Sequence, residues 1–139
     1  MRAKEYLSQA VWLDKLIQNK LEQMEKLEAI AQKTTVDLSQ EKVSGGKAST
    51  SPMENAVVKL IELKHEINDD IDRLIDLKRE IIETIGQLSD GSYKLLLEMR
   101  YIGGKSWDVI AVELGCDRRT IFRMHGKAIK EIDKIKSCH

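Results

Sequence analysis

The chain has 139 residues, 42% of them hydrophobic and 33% charged, and its 23 basic residues balance 23 acidic ones. With one Pro, few aromatics and long periodic runs, that composition suits one or two small domains and favours an all-α reading over any sheet-based class. No apolar run reaches the roughly 18–20 residues that span a bilayer, the N-terminal MRAKEYLSQAVWLDK is broken by charge where a secretory signal is apolar, and Cys116 and Cys138 are too few for a disulfide framework; a cytoplasmic protein with reduced thiols and no membrane partner is expected.

From Ala3 to Gln32, the apolar residues Ala10, Leu13, Ile17, Met24, Leu27 and Ala31 recur in steps of three and four or their sum, with no Gly or Pro between them. This predicts one long helix. Residues 33–51 carry TTVDLSQEKVSGGKAST, which lacks a period and contains Gly45 and Gly46, and a mobile connector is expected there. A second helix is announced by Ser51 as N-cap, Pro52 at the first helical position and Glu54 completing a capping box. Its periodic run continues to Leu88. Heptad assignment places Val57, Lys64, Ile71, Lys78 and Ile85 at a, and Leu60, Ile67, Leu74, Ile81 and Leu88 at d. Ile61, Ile75 and Ile82 add a column at e, while Leu63 and Leu77 lie at g. Lys64 and Lys78 interrupt the a/d seam, and the stripe is wider than a single neighbour requires. Residues 1–88 are therefore expected to form an antiparallel, coiled-coil-like helical hairpin. Two helices alone leave most of their surface wet, so the hairpin should either self-associate as a homo-oligomer or pack on the C-terminal domain.

Ser92–Ile102, SYKLLLEMRYI, reads as a further helix with Leu95, Leu96, Met99 and Ile102 on one side, ended by Gly103 and Gly104; Ser106 caps the next one. The stretch SWDVIAVELGCDRRTIFRMHGKAIK then has the pattern of a helix-turn-helix. Ala111 supplies a small residue where two helices cross, Gly115 a permissive turn, and Ile110, Leu114, Cys116, Ile121 and Met124 an inward face. Asp117 suits the N-cap of the second helix, with its charge at the positive end of the helix dipole. Arg118, Arg119, Phe122, Arg123 and Lys127 then project away from the inward face. Between Arg118 and Lys136, seven Lys or Arg stand against Glu131 and Asp133, so a neutral chain carries a local basic excess suited to a nucleic acid. Trp107 and His125 are expected in or beside the scaffold, and Cys116 as a small buried residue of the turn.

Residues 88–132, above all SWDVIAVELGCDRRTIFRMHGKAI, resemble region 4 of bacterial sigma factors, the part that reads promoters. The whole chain, through its charged hairpin and the string LLLEMRYIGGKSWDVIAVELG, resembles small phage and prophage proteins of Gram-positive bacteria described as sigma-like or ArpU/RinA-type transcriptional regulators. The resemblance implies control of phage genes, with Arg118, Arg119, Thr120 and Arg123 on the DNA. Nothing in the chain looks like the sigma regions that bind core enzyme and melt promoters, so a self-sufficient sigma factor is not expected.

The resulting expectation is a DNA-binding domain over residues 89–139 that meets double-stranded DNA through Arg118, Arg119, Thr120, Phe122, Arg123, Lys127 and Lys130. Lysines would hold phosphates and release counterions, and guanidinium forks would read guanine edges in the major groove. RNA polymerase is a further candidate partner. No catalytic constellation is expected: GGKAST at Gly45–Thr50 resembles the end of a phosphate loop, but Glu41 stands where that loop needs Gly and Ala48 where it needs a hydroxyl. His65, His125 and His139 show no ligand spacing, which argues against a metal or cofactor, and Asp69, Asp70, Asp72 and Asp76 read as a solvated helix face. The competing reading is a phage assembly or adaptor protein, similar to a terminase small subunit or binding RNA polymerase, that acts mainly through its hairpin.

Overall fold

The computed structural model describes residues 2–40 and 52–138, with the backbone alone for residues 34–40. Its elements are α1 (Ala3–Gln40), α2 (Pro52–Ile85), α3 (Gly91–Leu97), α4 (Trp107–Leu114) and α5 (Arg118–Ser137), and α3 leads straight into a wider π-helical turn, Glu98–Ile102. No strand occurs among the described residues, in line with the all-α expectation. No helix among them is long and apolar enough to cross a membrane.

α1 runs past its expected end at Gln32 to Gln40, so the first part of the expected connector is helical. KTTVDLSQ contains neither Gly nor Pro, and extending a helix that is already nucleated needs only one further hydrogen bond per residue. Residues 41–51, with the Gly pair, the whole GGKAST segment and the expected Ser51 cap, lie outside the described residues. Pro52 opens α2 as its fixed φ and missing N–H favour.

The chain divides into two compact units, residues 1–14 with 73–139 and residues 15–72. The boundary expected at residue 88 falls inside the first unit, because the first turns of α1 pack with the C-terminal helices. Ala3, Tyr6, Leu7 and Ala10 share one buried cluster with Ile81, Ile85, Leu88, Leu97, Tyr101, Ala128 and Ile132. Polar contacts fix that packing. The Ala3 amide, one of the free donors at the start of α1, donates to Asp133 Oδ1 at 2.9 Å, so α5 caps α1. The Tyr6 hydroxyl donates to Glu80 Oε2 at 3.0 Å and lies 3.0 Å from Thr84 Oγ1, while the Lys136 ammonium sits 3.9 Å above the Tyr6 ring centroid.

A second cluster in the same unit joins Leu96, Met99, Ile110, Ala111 and Ile121, with Trp107, Leu114, Cys116 and Met124 partly buried against it. The expected inward set is all present, although Cys116 is only half-buried. Leu95 departs from expectation: it is exposed, and the consecutive pair Leu96 and Leu97 is fully buried, one in each cluster. A helix that serves two cores on adjacent sides cannot be phased from a single stripe.

The seam of α2 is also shifted. Its inward positions run Ala56, Leu60, Leu63, Ile67, Asp70, Leu74, Leu77, Ile81 and Thr84, an alternation of steps of four and three along columns d and g, joined at the C-terminal end by the fully buried Ile85 of column a. Lys64 is therefore exposed and Lys78 lies at the rim, while Val57, Ile61, Ile71, Ile75 and Ile82 of columns a and e are 38% to 53% exposed. Asp70, expected on a solvated face, is buried; Lys20 of α1 reaches its carboxylate at 2.7 Å and Glu66 at 3.6 Å. Tyr6 meets Glu80 and Thr84, and Lys20 meets Glu66 and Asp70, so numbering falls along α2 as it rises along α1. The pairing is antiparallel within each unit.

Candidate nucleic-acid interface

Local chemistry sets the junction of α4 and α5. The Ser106 hydroxyl accepts from the Val109 amide at 3.2 Å and starts α4. Gly115 ends it at φ +66°, a left-handed conformation that a side chain would strain, and the Cys116 amide then bonds back to the Ala111 carbonyl at 3.0 Å. Asp117 Oδ1 accepts from the Thr120 amide at 2.9 Å, which caps α5. Hydrogen bonds from the Thr120 side chain and amide hold the Asp117 carboxyl below the usual carboxylate range. Its negative charge is thus kept at the positive end of the helix dipole.

With its start fixed, α5 buries Ile121, Ala128 and Ile132 and turns the opposite side outward. Residues three or four apart share a side, so Arg119, Arg123, Gly126 and Lys130 form the central line of the outer face, with Lys127 to one side and Phe122 to the other. Arg118, Arg119, Phe122, Arg123, Lys127 and Lys130 are all exposed. Thr120 is half-buried and engaged in the Asp117 cap, which sets it apart from the outer face.

The three arginines are not equivalent. Arg118 Nε lies 3.3 Å from Asp108 Oδ1 of α4, and its guanidinium is 5.6 Å from the Phe122 ring centroid. Among the described residues no ion pair forms at Arg119 or Arg123. Both are exposed on a capped helix, with Arg123 near enough to the Asp117 carboxylate to help hold it charged.

Behind this face lies an aromatic cluster that the sequence reading did not assemble. Trp107 meets Phe122 edge-on at 5.4 Å and His125 at 4.8 Å between centroids, and the Arg100 guanidinium lies 4.4 Å from the Trp107 ring centroid. His125 Nε2 lies 2.7 Å from the Tyr101 hydroxyl, with the two rings stacked at 5.8 Å. Burial, aided by the charges of Lys4 and Arg100, pushes the His125 imidazole down to about 4, so it is neutral at physiological pH. Arg100 also donates to the Lys105 carbonyl at 3.0 Å. The i, i+3 spacing of Phe122 and His125 marks a shared side of α5, but the residues from the preceding elements that complete the cluster have no local signature. Among the described residues, no group of three metal-ligating side chains comes together.

A family model described as Protein of unknown function (DUF1492) matches residues 32–133. The chain belongs to the DUF1492 family. The DUF1492 match takes in α2, α3, α4 and α5 as far as Asp133, hence the whole basic line from Arg118 to Lys130. The turns of α1 that pack on α5 precede it. No curated protein and no solved structure matches the chain.

Proposed function

We propose that this protein is a sequence-specific, double-stranded-DNA-binding transcriptional regulator of phage or prophage genes, in which α4, the Gly115 turn and α5 act as a helix-turn-helix and α5 enters the major groove. The observation that carries the reading is the exposed line of Arg119, Arg123 and Lys130 on an N-capped helix whose opposite side is buried. Lys127 and Lys130 neutralise phosphates, which yields salt-dependent affinity with little sequence information. Arg119 and Arg123 reach guanine edges, each bidentate contact contributing about 1–3 kcal/mol of discrimination. The phage setting, a cytoplasmic location and RNA polymerase as a partner rest on the sequence resemblance to sigma region 4 and to ArpU/RinA-type regulators. The exposed apolar columns of α2 support homo-oligomerisation, which would offer two recognition helices to half-sites about one helical turn apart.

Those same columns favour a second reading, an assembly or adaptor protein that works through α1 and α2 with little DNA recognition. Selection of host and phage genomic fragments by the purified protein, followed by salt titration on a selected and a random duplex, separates the two. The regulator prefers the selected duplex; Arg119→Ala lowers that preference by about tenfold without changing the thermal midpoint, and alanines at both Lys127 and Lys130 reduce the salt slope by about two. An adaptor shows no preference at any salt concentration.

A further inference from the structure

Gly126 stands in the middle of α5, where glycine is the least favoured residue after proline because it loses the most conformational freedom on folding. Three reasons inside a protein ordinarily keep a glycine in such a place: a positive φ, a tight helix crossing, or a kink. The first two are absent here. Among the described residues the glycines with positive φ are Gly104 and Gly115, and a Cβ built at Gly126 meets nothing within 4 Å. Nor does the helix break there, since α5 continues unbroken from Arg118 to Ser137. Among the described residues, no neighbour requires the side chain to be missing.

The surroundings indicate what does. Gly126 is exposed on the central line of the outer face, between Arg123 and Lys130, with Lys127 beside it and Arg119 two turns before it. A bare stretch of helix backbone bordered by four cations fits a closely approaching anion far better than an apolar or basic protein surface. Spacing narrows the choice. Gly126 lies eight residues, about 12 Å, along the axis from Arg118, close to the width of the major groove of about 12 Å. A helix whose first turn reaches the bases meets the rising wall of the groove at that distance.

We propose that Gly126 is a close-approach point at which one sugar-phosphate strand of double-stranded DNA rests against the α5 backbone, with Arg123, Lys127 and Lys130 around the contact. The inference rests on the DNA-binding reading above and adds to it a strand contact that carries no sequence information. Gly126 is then a trade-off position, where a residue unfavourable for the helix is favourable for the complex.

The test uses the full chain with Gly126→Ala and Gly126→Leu, both helix-favouring changes, against the selected duplex and a random duplex of equal length. The thermal midpoint should stay level or rise by about 2–4 °C. Affinity should fall about tenfold for Ala and further for Leu, to the same degree on both duplexes, whereas Arg119→Ala acts mainly on the selected one. Unchanged affinity in the Leu variant overturns the proposal, as does a lowered midpoint, which would return the glycine to the fold. A wild-type protein that binds no duplex overturns the DNA-binding reading and this one together; a wild type that binds beside an indifferent Leu variant overturns this one alone.

Discussion

Protonation of His125 should destabilise the protein, and His125→Gln should remove that sensitivity. Burial is the main reason the half-buried imidazole resists a charge, the cations Lys4 of α1 and Arg100 of the π-helical turn add to it, and the Tyr101 hydroxyl and Trp107 ring lie against it. In the unfolded chain it takes up a proton near its ordinary value of 6.5, whereas in the folded protein it does so only at about 4. The unfolded state therefore binds more protons between these values. The stabilising term is complete above pH 6.5, is lost progressively as pH falls towards 4, and changes no further below that. For a fully buried group the difference corresponds to about 3 kcal/mol. Partial exposure screens the charge and leaves about 1–2 kcal/mol. Urea midpoints measured from about pH 7 to pH 4.5 should fall more steeply in the wild type than in the Gln variant. Glutamine can still bond the Tyr101 hydroxyl but does not titrate, and it lowers stability equally at every pH through lost ring contact. Asp90 and Asp117, whose carboxyls are held below the ordinary carboxylate range, titrate beneath this window and are in any case common to both proteins. Parallel curves for the two proteins would refute the argument.

Two further outcomes follow from contacts described above. Asp117→Ala removes the α5 cap, so the thermal midpoint should drop by a few degrees and DNA affinity with it; because the folded-state carboxyl titrates below its usual range, the gap from wild type should be present at neutral pH and close as pH falls through the carboxylate range, and a pH-independent gap would argue against capping by the charged form. Lys20→Met takes the ammonium away from the buried Asp70 carboxylate and should cost about 1–3 kcal/mol in urea unfolding, while pairing it with Asp70→Leu should restore most of the loss, since a buried ion pair is replaceable by apolar packing; a neutral single variant would show that the pair contributes nothing.

Much of the secondary structure was legible because its signals are local. Ser106, Gly115 and Asp117 act on amides and carbonyls within five residues of themselves, and Pro52 acts on its own backbone, so each could be read from a short window. The seam of α2 could not. Columns a, d and e are all rich in Ile, Leu and Val, whereas column g mixes Leu63 and Leu77 with the small Ala56 and with Asp70 and Thr84, two polar residues that hydropathy places outside a core. Residues on α1 settle the choice, Lys20 by neutralising Asp70 and Tyr6 by bonding Thr84, and neither partner is visible from α2 alone. The same limit applies to the unit formed by residues 1–14 and 73–139, whose contact from the Ala3 amide to Asp133 spans 130 positions.

The outer face of α5 was legible by exclusion, since fixing Ile121 and Met124 inward leaves few places for the arginines. What exclusion cannot provide is the electrostatic weight of that face in a chain of zero formal charge. Remote acids matter little there, because at physiological ionic strength a charge is screened beyond about 8 Å. Nearest are the Asp117 cap, which feels the charge of Arg123 but whose own charge is engaged by the Thr120 amide and hydroxyl, and the two acids on α5 itself. Asp133 accepts a hydrogen bond from the Ala3 amide, which offsets part of its charge, and Glu131 lies around the helix from the line of Arg119, Arg123 and Lys130. On α4, Asp108 is paired with Arg118, so its charge is set against the one arginine already drawn to the flank. The field above Gly126 is therefore governed by Arg119, Arg123, Lys127 and Lys130, and net neutrality of the chain is no argument against a polyanion there.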